Sequence, residues 1–377
     1  MRRSPLSLAL TTTLAFGIAV SAPVSAPARA DSAPADSAPA AAAGVWPYSV
    51  LPGFDPLRPS ADPVALTSAP RDLNVTYTYE GETRTLKDYL KRTAQGFAVL
   101  DGDEIVGEWY AAGYSAESLF QSWSAGKSFT SDAVGVALGE GRIRSLEDTV
   151  GDYVPELAGT DYGRVRLRNL LRMSSGMRWD EDVDDVTLHV SVSMGWRSTL
   201  RMAASRRRAQ EQGSGFNYSS MDSAVLALVV QRATGMPLHS YLEDRIWAPS
   251  GMAGIAYLGN DSNGNGLGYC CVYATVRDFA RFGKMMLDGG TVKGRQVVPA
   301  SWISQATTPS GVNSRYGLHW WIDPGEGFYA TGLGDQKIYV STKHHVVIAR
   351  NTLLNLESGD TLPALRAIAA EVARTRP

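Results

Sequence analysis

The chain has 377 residues, a formal net charge of -2, 44% hydrophobic residues and 20% charged residues. This length suits one large domain or two intimately packed lobes. The mild acidity gives no reason to expect nucleic acid or an anionic membrane as a partner.

The N-terminal segment is typical of an export signal. Arg2 and Arg3 precede an apolar run, and small residues at 28 and 30 fit a cleavage site. We therefore expect a signal peptide over 1–30 and a secreted or periplasmic protein, by either the general secretory or the twin-arginine route. The apolar run is too short and interrupted to predict a membrane anchor. Residues 31–44 repeat Asp-Ser-Ala-Pro and predict a disordered spacer, so one domain is expected over 45–377.

The predicted elements begin with a short helix over 86–93 and a β-hairpin of strands 96–100 and 104–110. A helix is predicted from Ser124 to about Leu138, where glycines end it. Helical patterns and loops then dominate. The clearer helices lie at 168–173, 221–233, 238–246 and 275–287, strands follow at 327–331, 336–342 and 345–351, and a helix at 362–374 closes the chain.

Strands at both ends of the chain, with a helical block between them, predict the fold class. We expect an α/β sandwich in which one antiparallel sheet is built from both chain ends and flanked by helices. A mainly helical subdomain, roughly residues 148–318, is inserted between these strands.

Cys270 and Cys271 are adjacent. A disulfide between neighbours constrains almost no loop, so we predict two small buried apolar side chains instead of a bridge. The five histidines show no zinc-site spacing, and neither a metal nor a cofactor is expected.

The most informative motif is Ser124-Ala-Gly-Lys127. Three residues apart on a helix, a hydroxyl and an amine lie on one face. This geometry suits a serine nucleophile whose proton is taken by a lysine. No other lysine of the chain has a serine three residues before it. At a first helical turn, backbone N–H groups also point toward a developing oxyanion.

Two further motifs are weak alone. Tyr218 and Ser220 offer a phenol and a hydroxyl for proton relay, although a packed tyrosine beside a serine N-cap explains the same pattern. The segment 329–336, Tyr-Ala-Thr-Gly-Leu-Gly-Asp-Gln, reads as a strand passing into a glycine-rich turn. A strand-edge N–H there could be a second oxyanion donor.

Together these motifs resemble the serine β-lactamase and penicillin-recognising family. The likeness is to its class C-like branch, with 6-aminohexanoate-dimer hydrolases and family VIII esterases. Two other stretches are similar to that branch: Val-Arg-Leu-Arg-Asn-Leu-Leu-Arg-Met-Ser-Ser-Gly-Met-Arg-Trp at 165–179 and Val-Tyr-Ala-Thr-Val-Arg-Asp-Phe-Ala-Arg-Phe-Gly at 272–283.

The resemblance implies roles for the motif residues. Ser124 would be the nucleophile, Lys127 its base and Tyr218 a proton donor to the leaving group. Burial and nearby positive charge would lower the pKa of Lys127. The oxyanion hole would be the backbone N–H groups of Ser124 and Leu333. Substrate contacts would come from Ser220, Ala330, Thr331, Gly332, Trp179 and Asp182.

The chain departs from the family at Ala330, where penicillin-binding members usually offer a lysine or histidine for a substrate carboxylate. This favours an ester or non-peptide amide over a β-lactam or D-Ala-D-Ala peptide. The acidic run from Trp179 to Asp185 is either an ammonium-binding element or a solvated acidic loop, and for a charge run the latter is the commoner case.

The sequence thus predicts a secreted serine hydrolase acting on a small-molecule ester or amide through an acyl-enzyme, most like 6-aminohexanoate-dimer hydrolase or carboxylesterase. The alternatives are a β-lactamase or D-amino-acid peptidase, and a non-catalytic binding protein or sensor with the same fold. Neither the natural substrate nor the oligomeric state follows from the sequence.

Overall fold

The computed structural model describes residues 53–352 and 358–377. The predicted signal peptide and spacer lie outside them. The helices are α1 Leu86–Thr93, α2 Gly126–Gly139, α3 Leu167–Leu171, α4 Glu181–Ser193, α5 Thr199–Ser205, α6 Ser220–Thr234, α7 Leu238–Leu242, α8 Val276–Leu287, α9 Ala300–Ala306 and α10 Thr361–Arg374. Short 3-10 turns are formed by Trp123–Ala125, Val150–Asp152, Pro155–Leu157, Tyr162–Arg164, Leu333–Asp335 and Ser358–Asp360, and a π-helical turn by Glu243–Trp247.

The strands are β1 Gly53–Leu57, β2 Thr67–Ser68, β3 Thr76–Tyr79, β4 Glu82–Thr85, β5 Gly96–Asp101, β6 Glu104–Tyr110, β7 Phe120–Gln121, β8 Ala256–Asn260, β9 Val272–Ala274, β10 Thr291–Val292, β11 Arg295–Gln296, β12 Trp321–Asp323, β13 Gly327–Gly332, β14 Gln336–Ser341 and β15 Val346–Asn351. Within the described residues the main sheet has seven strands, in the order β12-β13-β14-β15-β5-β6-β2. All pairings in it are antiparallel except the short β2–β6 pair. The predicted sheet built from both chain ends is confirmed.

Helices cover both faces of this sheet because its strands alternate apolar side chains to both sides. Phe97, Val99 and Ile348 pack with the α10 residue Ile368 on one face. On the other face the α8 residue Phe282 belongs to the core that includes Ala98, Leu100, Ile338 and Val347. Helix α8 lies within the segment 148–318, so part of that predicted insertion covers the sheet instead of standing beside it.

The second half of the core is built around α2. Every residue from Gly126 to Ala137 is buried, so this helix is enclosed on all sides. It packs against α6, and α9 crosses it where Trp302 lies over Gly135, a position at which any Cβ would collide with the indole. The small residues that the sequence places on α2 are what let its neighbours approach closely.

A second, four-stranded sheet, in the order β1-β8-β9-β7 among the described strands, was not predicted. Its strands have two to five residues, too few for a clear alternating pattern. The turn Trp123–Ala125 follows this sheet directly along the chain. Ser122, the residue before the turn, is held to strand β9 because its N–H donates to the carbonyl oxygen of Val272 at 2.8 Å. No helix within 53–352 and 358–377 combines the length and apolar character that a membrane span requires.

Candidate active site

The nucleophile candidate sits at the entry to α2. Ser124 is the middle residue of the 3-10 turn Trp123–Ala125, and Lys127 lies one turn later, on α2 itself. Trp123 has a φ of 47°, in the left-handed region that a tryptophan rarely adopts. Such a backbone persists only where surrounding structure holds it, and it marks this turn as a constrained one.

Lys127 is buried and points at Ser124. Its Nζ lies 2.8 Å from Ser124 Oγ, 2.9 Å from Ser220 Oγ and 3.1 Å from the carbonyl oxygen of Tyr269. The side chain is 1% exposed, so water is excluded from the amine. The structure therefore brings together the hydroxyl and amine that the sequence spacing placed on one helix face.

Tyr218 lies over this amine, with Lys127 Nζ 4.9 Å from its ring centroid. The next residue, Ser219, is the N-cap of α6, and its side chain accepts the N–H of Asp222. The predicted N-cap is therefore present, and it is compatible with a role for Tyr218 at the site, because the cap fixes the start of the helix that follows the tyrosine. Tyr218 also packs beside Trp321, at 5.8 Å between ring centroids.

The pKa of Lys127 differs in direction from the sequence-based expectation. Burial lowers it, but interactions with Tyr218, Glu181 and Asp185 outweigh burial and raise the pKa above its usual value. The expected nearby positive charge is replaced by acidic groups. Burial raises the pKa of the Tyr218 phenol above its usual value, against the lowering effect of the Lys127 charge.

The third motif forms the end of β13. A Cβ built on Gly332 would lie 2.8 Å from Trp123 Cβ and 3.0 Å from Ser124 N, so only glycine allows this approach. The end of β13 therefore lies against the turn Trp123–Ala125, which carries Ser124. Leu333 follows immediately, in the turn Leu333–Asp335, with its side chain 57% exposed.

Strand alternation separates the side chains of this motif. Ala330 is 1% exposed and, two residues from Gly332, shares its face. The Thr331 side chain is on the other face, where its hydroxyl accepts a hydrogen bond from Lys337 at 2.6 Å. The lysine beside this motif therefore does not replace the cation that is missing at Ala330.

The acidic run is helical, not a loop. Asp180 caps α4 by accepting the N–H of Asp182, whose own side chain is exposed. Glu181, which the sequence analysis did not select, is the member that reaches the site: it accepts Ser220 Oγ–H at 2.6 Å. Trp179 is 7% exposed and donates its indole N–H to Glu181 at 2.5 Å.

The structure places three of the predicted substrate contacts around Lys127 and Glu181 or at the surface. Ser220 is 0% exposed and its hydroxyl bridges Lys127 and Glu181, so it stands behind the amine. Trp179 supports Glu181, and Asp182 faces solvent. The available signal for Glu181 was its place in the first turn of a helix, one residue after an Asp N-cap.

Cys270 and Cys271 form a disulfide, which corrects the prediction of two unpaired thiols. Their predicted burial is confirmed, at 3% and 0% exposure. A bridge between adjacent residues closes almost no loop and so has little entropic effect on stability, but chain entropy does not forbid one where Cys271 adopts a left-handed φ of 73°. The pair follows Tyr269, whose carbonyl binds Lys127.

One group in the described part of the chain has metal-ligand side chains close together. His189 and the two cysteine sulfurs lie within 4.8 Å of one another. Both sulfurs are held in the disulfide, so neither is the thiolate that a metal needs.

Comparison with known proteins agrees with this geometry. A family model described as Beta-lactamase matches residues 32–373. The chain belongs to this family. It is 31% identical over 293 residues to the 6-aminohexanoate-dimer hydrolase of Paenarthrobacter ureafaciens, a match that covers 70% of this chain and 74% of that protein.

Solved structures share the fold. The structure described as "Putative 6-aminohexanoate-dimer hydrolase from Bacillus anthracis" superposes with a TM-score of 0.77 at 24% identity, over 85% of this chain and 90% of that one. A family VIII carboxylesterase gives a TM-score of 0.57 at 19% identity, over 76% and 95%. The β-lactamase fold, the family match and the Ser124–Lys127 pair make this chain a serine hydrolase.

Proposed function

We propose that the protein is an exported serine hydrolase that cleaves an amide or ester through an acyl-enzyme, with an activity like that of 6-aminohexanoate-dimer hydrolase or a carboxylesterase. The observation that carries this is the 2.8 Å contact between the buried Lys127 Nζ and Ser124 Oγ. On an exposed helix face, the lysine of a Ser-x-x-Lys pair would be solvated by water. In a buried pair beside a tyrosine, the amine is placed where it can take the proton of the serine.

Acylation begins when Lys127 has lost its extra proton. Ser124 Oγ attacks the substrate carbonyl carbon, its proton passes to Lys127 Nζ, and the carbonyl π electrons move onto oxygen. The Ser124 and Leu333 N–H groups receive this oxyanion. The bond to the leaving group then breaks, and that group takes a proton from the site by way of Tyr218.

Deacylation repeats these steps with water as the nucleophile. Water gives a proton to the base, its oxygen bonds to the acyl carbon, and Ser124 leaves with a proton returned from the site. The product is a carboxylic acid, and the enzyme regains its starting protonation state. No group beyond the chain and water is needed to balance the reaction.

An acyl portion that carries no carboxylate fits the surroundings best. Tyr218 belongs to an aromatic cluster with Tyr316 and Trp321, and Ala330 offers only a buried methyl group where a carboxylate-binding cation would stand. The identity to the Paenarthrobacter enzyme makes a linear amide of 6-aminohexanoate the first amide to test.

The test compares kcat/KM on the linear 6-aminohexanoate dimer and on a short p-nitrophenyl ester, using the purified enzyme and its Ser124→Ala variant. We expect Ser124→Ala to lose turnover by a factor of about 10⁴ or more with unchanged folding, because the bond-forming atom is gone. Amide cleavage would place the activity with the oligomer hydrolases, and ester cleavage alone with the esterases. Undiminished turnover by the alanine variant would refute the mechanism.

A further inference from the structure

Glu181 connects helix α4 to the start of helix α6 at the site. From the first turn of α4, its carboxylate accepts the hydroxyl of Ser220 at 2.6 Å, the backbone N–H of Ser220 at 2.9 Å and the indole N–H of Trp179 at 2.5 Å. Three donors fix both carboxylate oxygens in place, although the side chain remains 27% exposed. None of these three hydrogen bonds involves Ser124.

The hydrogen bond from Ser220 to Glu181 determines how Ser220 can contact Lys127. A serine hydroxyl has one proton, and that of Ser220 is given to Glu181. Ser220 Oγ lies 2.9 Å from Lys127 Nζ and can therefore only accept a hydrogen bond from that amine. The Tyr269 carbonyl, at 3.1 Å, is also only an acceptor. A neutral lysine amine has two N–H groups and one lone pair, and these two acceptors use both N–H groups.

The lone pair of the neutral amine is then left for the two remaining hydroxyls, Ser124 Oγ at 2.8 Å and the phenol of Tyr218, which also hydrogen-bonds Lys127. Without Glu181, the Ser220 hydroxyl would be free to donate to Lys127 and to compete with Ser124 for that lone pair. We propose that Glu181 is a positioning residue that keeps Ser220 an acceptor and so aims the base at the nucleophile. This rests on the proposed function, and it adds a residue outside the three motifs.

Glu181 also acts on Lys127 through charge, because its Oε1 lies 3.9 Å from Nζ. The other titratable groups that bear on Lys127 are Tyr218, Asp185 and His319. Burial lowers the pKa of Lys127, and Tyr218, Glu181 and Asp185 raise it in that order. The base works deprotonated, so removing the Glu181 charge moves the acidic limb of kcat/KM to lower pH.

The experiment measures the pH profile of kcat/KM on a neutral p-nitrophenyl ester. Glu181→Gln removes the charge and one of the two carboxylate acceptors. We expect a plateau about tenfold lower, since a general base contributes roughly 10²–10⁴ and only its orientation is impaired. We also expect the acidic limb to move down by about one pH unit, the low end for a charge at this distance, because Glu181 is partly exposed.

Two further variants separate the effects. Glu181→Asp keeps the charge but withdraws the carboxylate, so its plateau should fall while the acidic limb stays near that of the wild type. Glu211→Gln makes the same chemical change at a solvent-exposed site of the same chain and should change neither quantity. The ester has no ammonium group, so any loss on it is independent of amine recognition.

A Glu181→Gln profile that overlays the wild type, or an equal change in Glu211→Gln, would overturn the inference. Should Glu181→Gln not fold, as judged by circular dichroism, Glu181→Asp decides alone, and an undiminished plateau there overturns it. If Ser124→Ala is inactive while the Glu181 variants behave as wild type, only this inference fails. If Ser124→Ala is active, the proposed function itself fails.

Discussion

Replacing Gly332 by alanine tests whether the end of β13 builds the oxyanion site. The new Cβ would lie 2.8 Å from Trp123 Cβ and 3.0 Å from Ser124 N, and closer still to Ser122 O. Two of these three atoms belong to the backbone and the third is a Cβ, so no flexible side chain can move aside. Ordinary contact begins at 3.4 Å, and the strand end must retreat from the nucleophile turn.

The magnitude follows from this retreat. A displacement of roughly 1 Å at a reacting centre costs about 10²-fold in rate, and losing one oxyanion donor costs about 10²–10³-fold. We therefore expect kcat/KM of Gly332→Ala to fall by about 10²-fold, mainly through kcat. The urea midpoint should change little, because the shift affects a strand end and leaves the sheet's central pairings intact.

The assay is steady-state hydrolysis of a p-nitrophenyl ester, with Gly159→Ala as the matched control. A Cβ at Gly159 meets nothing within 4 Å, and its φ is not left-handed, so the same chemical change there should leave kcat/KM unaltered. A folded Gly332→Ala enzyme within about threefold of wild type would refute the placement of the oxyanion donors at this strand end.

Two other predictions concern the base and the disulfide. Because the Lys127 pKa is raised and the base acts deprotonated, kcat/KM on a neutral ester should climb with pH through the alkaline range; a profile that is flat or falling above neutrality contradicts this. Cys271 holds a φ of 73°, so in a Cys270→Ala background Cys271→Gly should be more stable than Cys271→Ala by about 1 kcal/mol in urea unfolding. Equal midpoints for the two variants would show that this backbone conformation is not retained without the bond.

Much of the fold could be predicted because its signals are local. Helix Leu86–Thr93 and the hairpin Gly96–Asp101 and Glu104–Tyr110 carry their caps, turn residues and alternation within a few positions. The small sheet around β8 and β9 could not, because its strands are short and pair with distant partners. Helix α4 was missed because its first turn is crowded with acidic residues, which satisfy the helix N-terminus while looking like a solvated loop.

The sequence by itself determined that a serine and a lysine meet on one helix face, since three residues along a helix fix that geometry whatever surrounds it. Only the tertiary structure decided the hydrogen-bond partners of Lys127 and the direction of its pKa shift. Its hydrogen-bond partners include Ser124 from the turn before its own helix, Ser220 from α6 and the Tyr269 carbonyl from the segment before β9, and its acidic neighbours Glu181 and Asp185 come from α4. Burial and charge act through space, so the direction of the Lys127 pKa, the place of Glu181 and the pairing of two adjacent cysteines follow from packing and not from spacing along the chain.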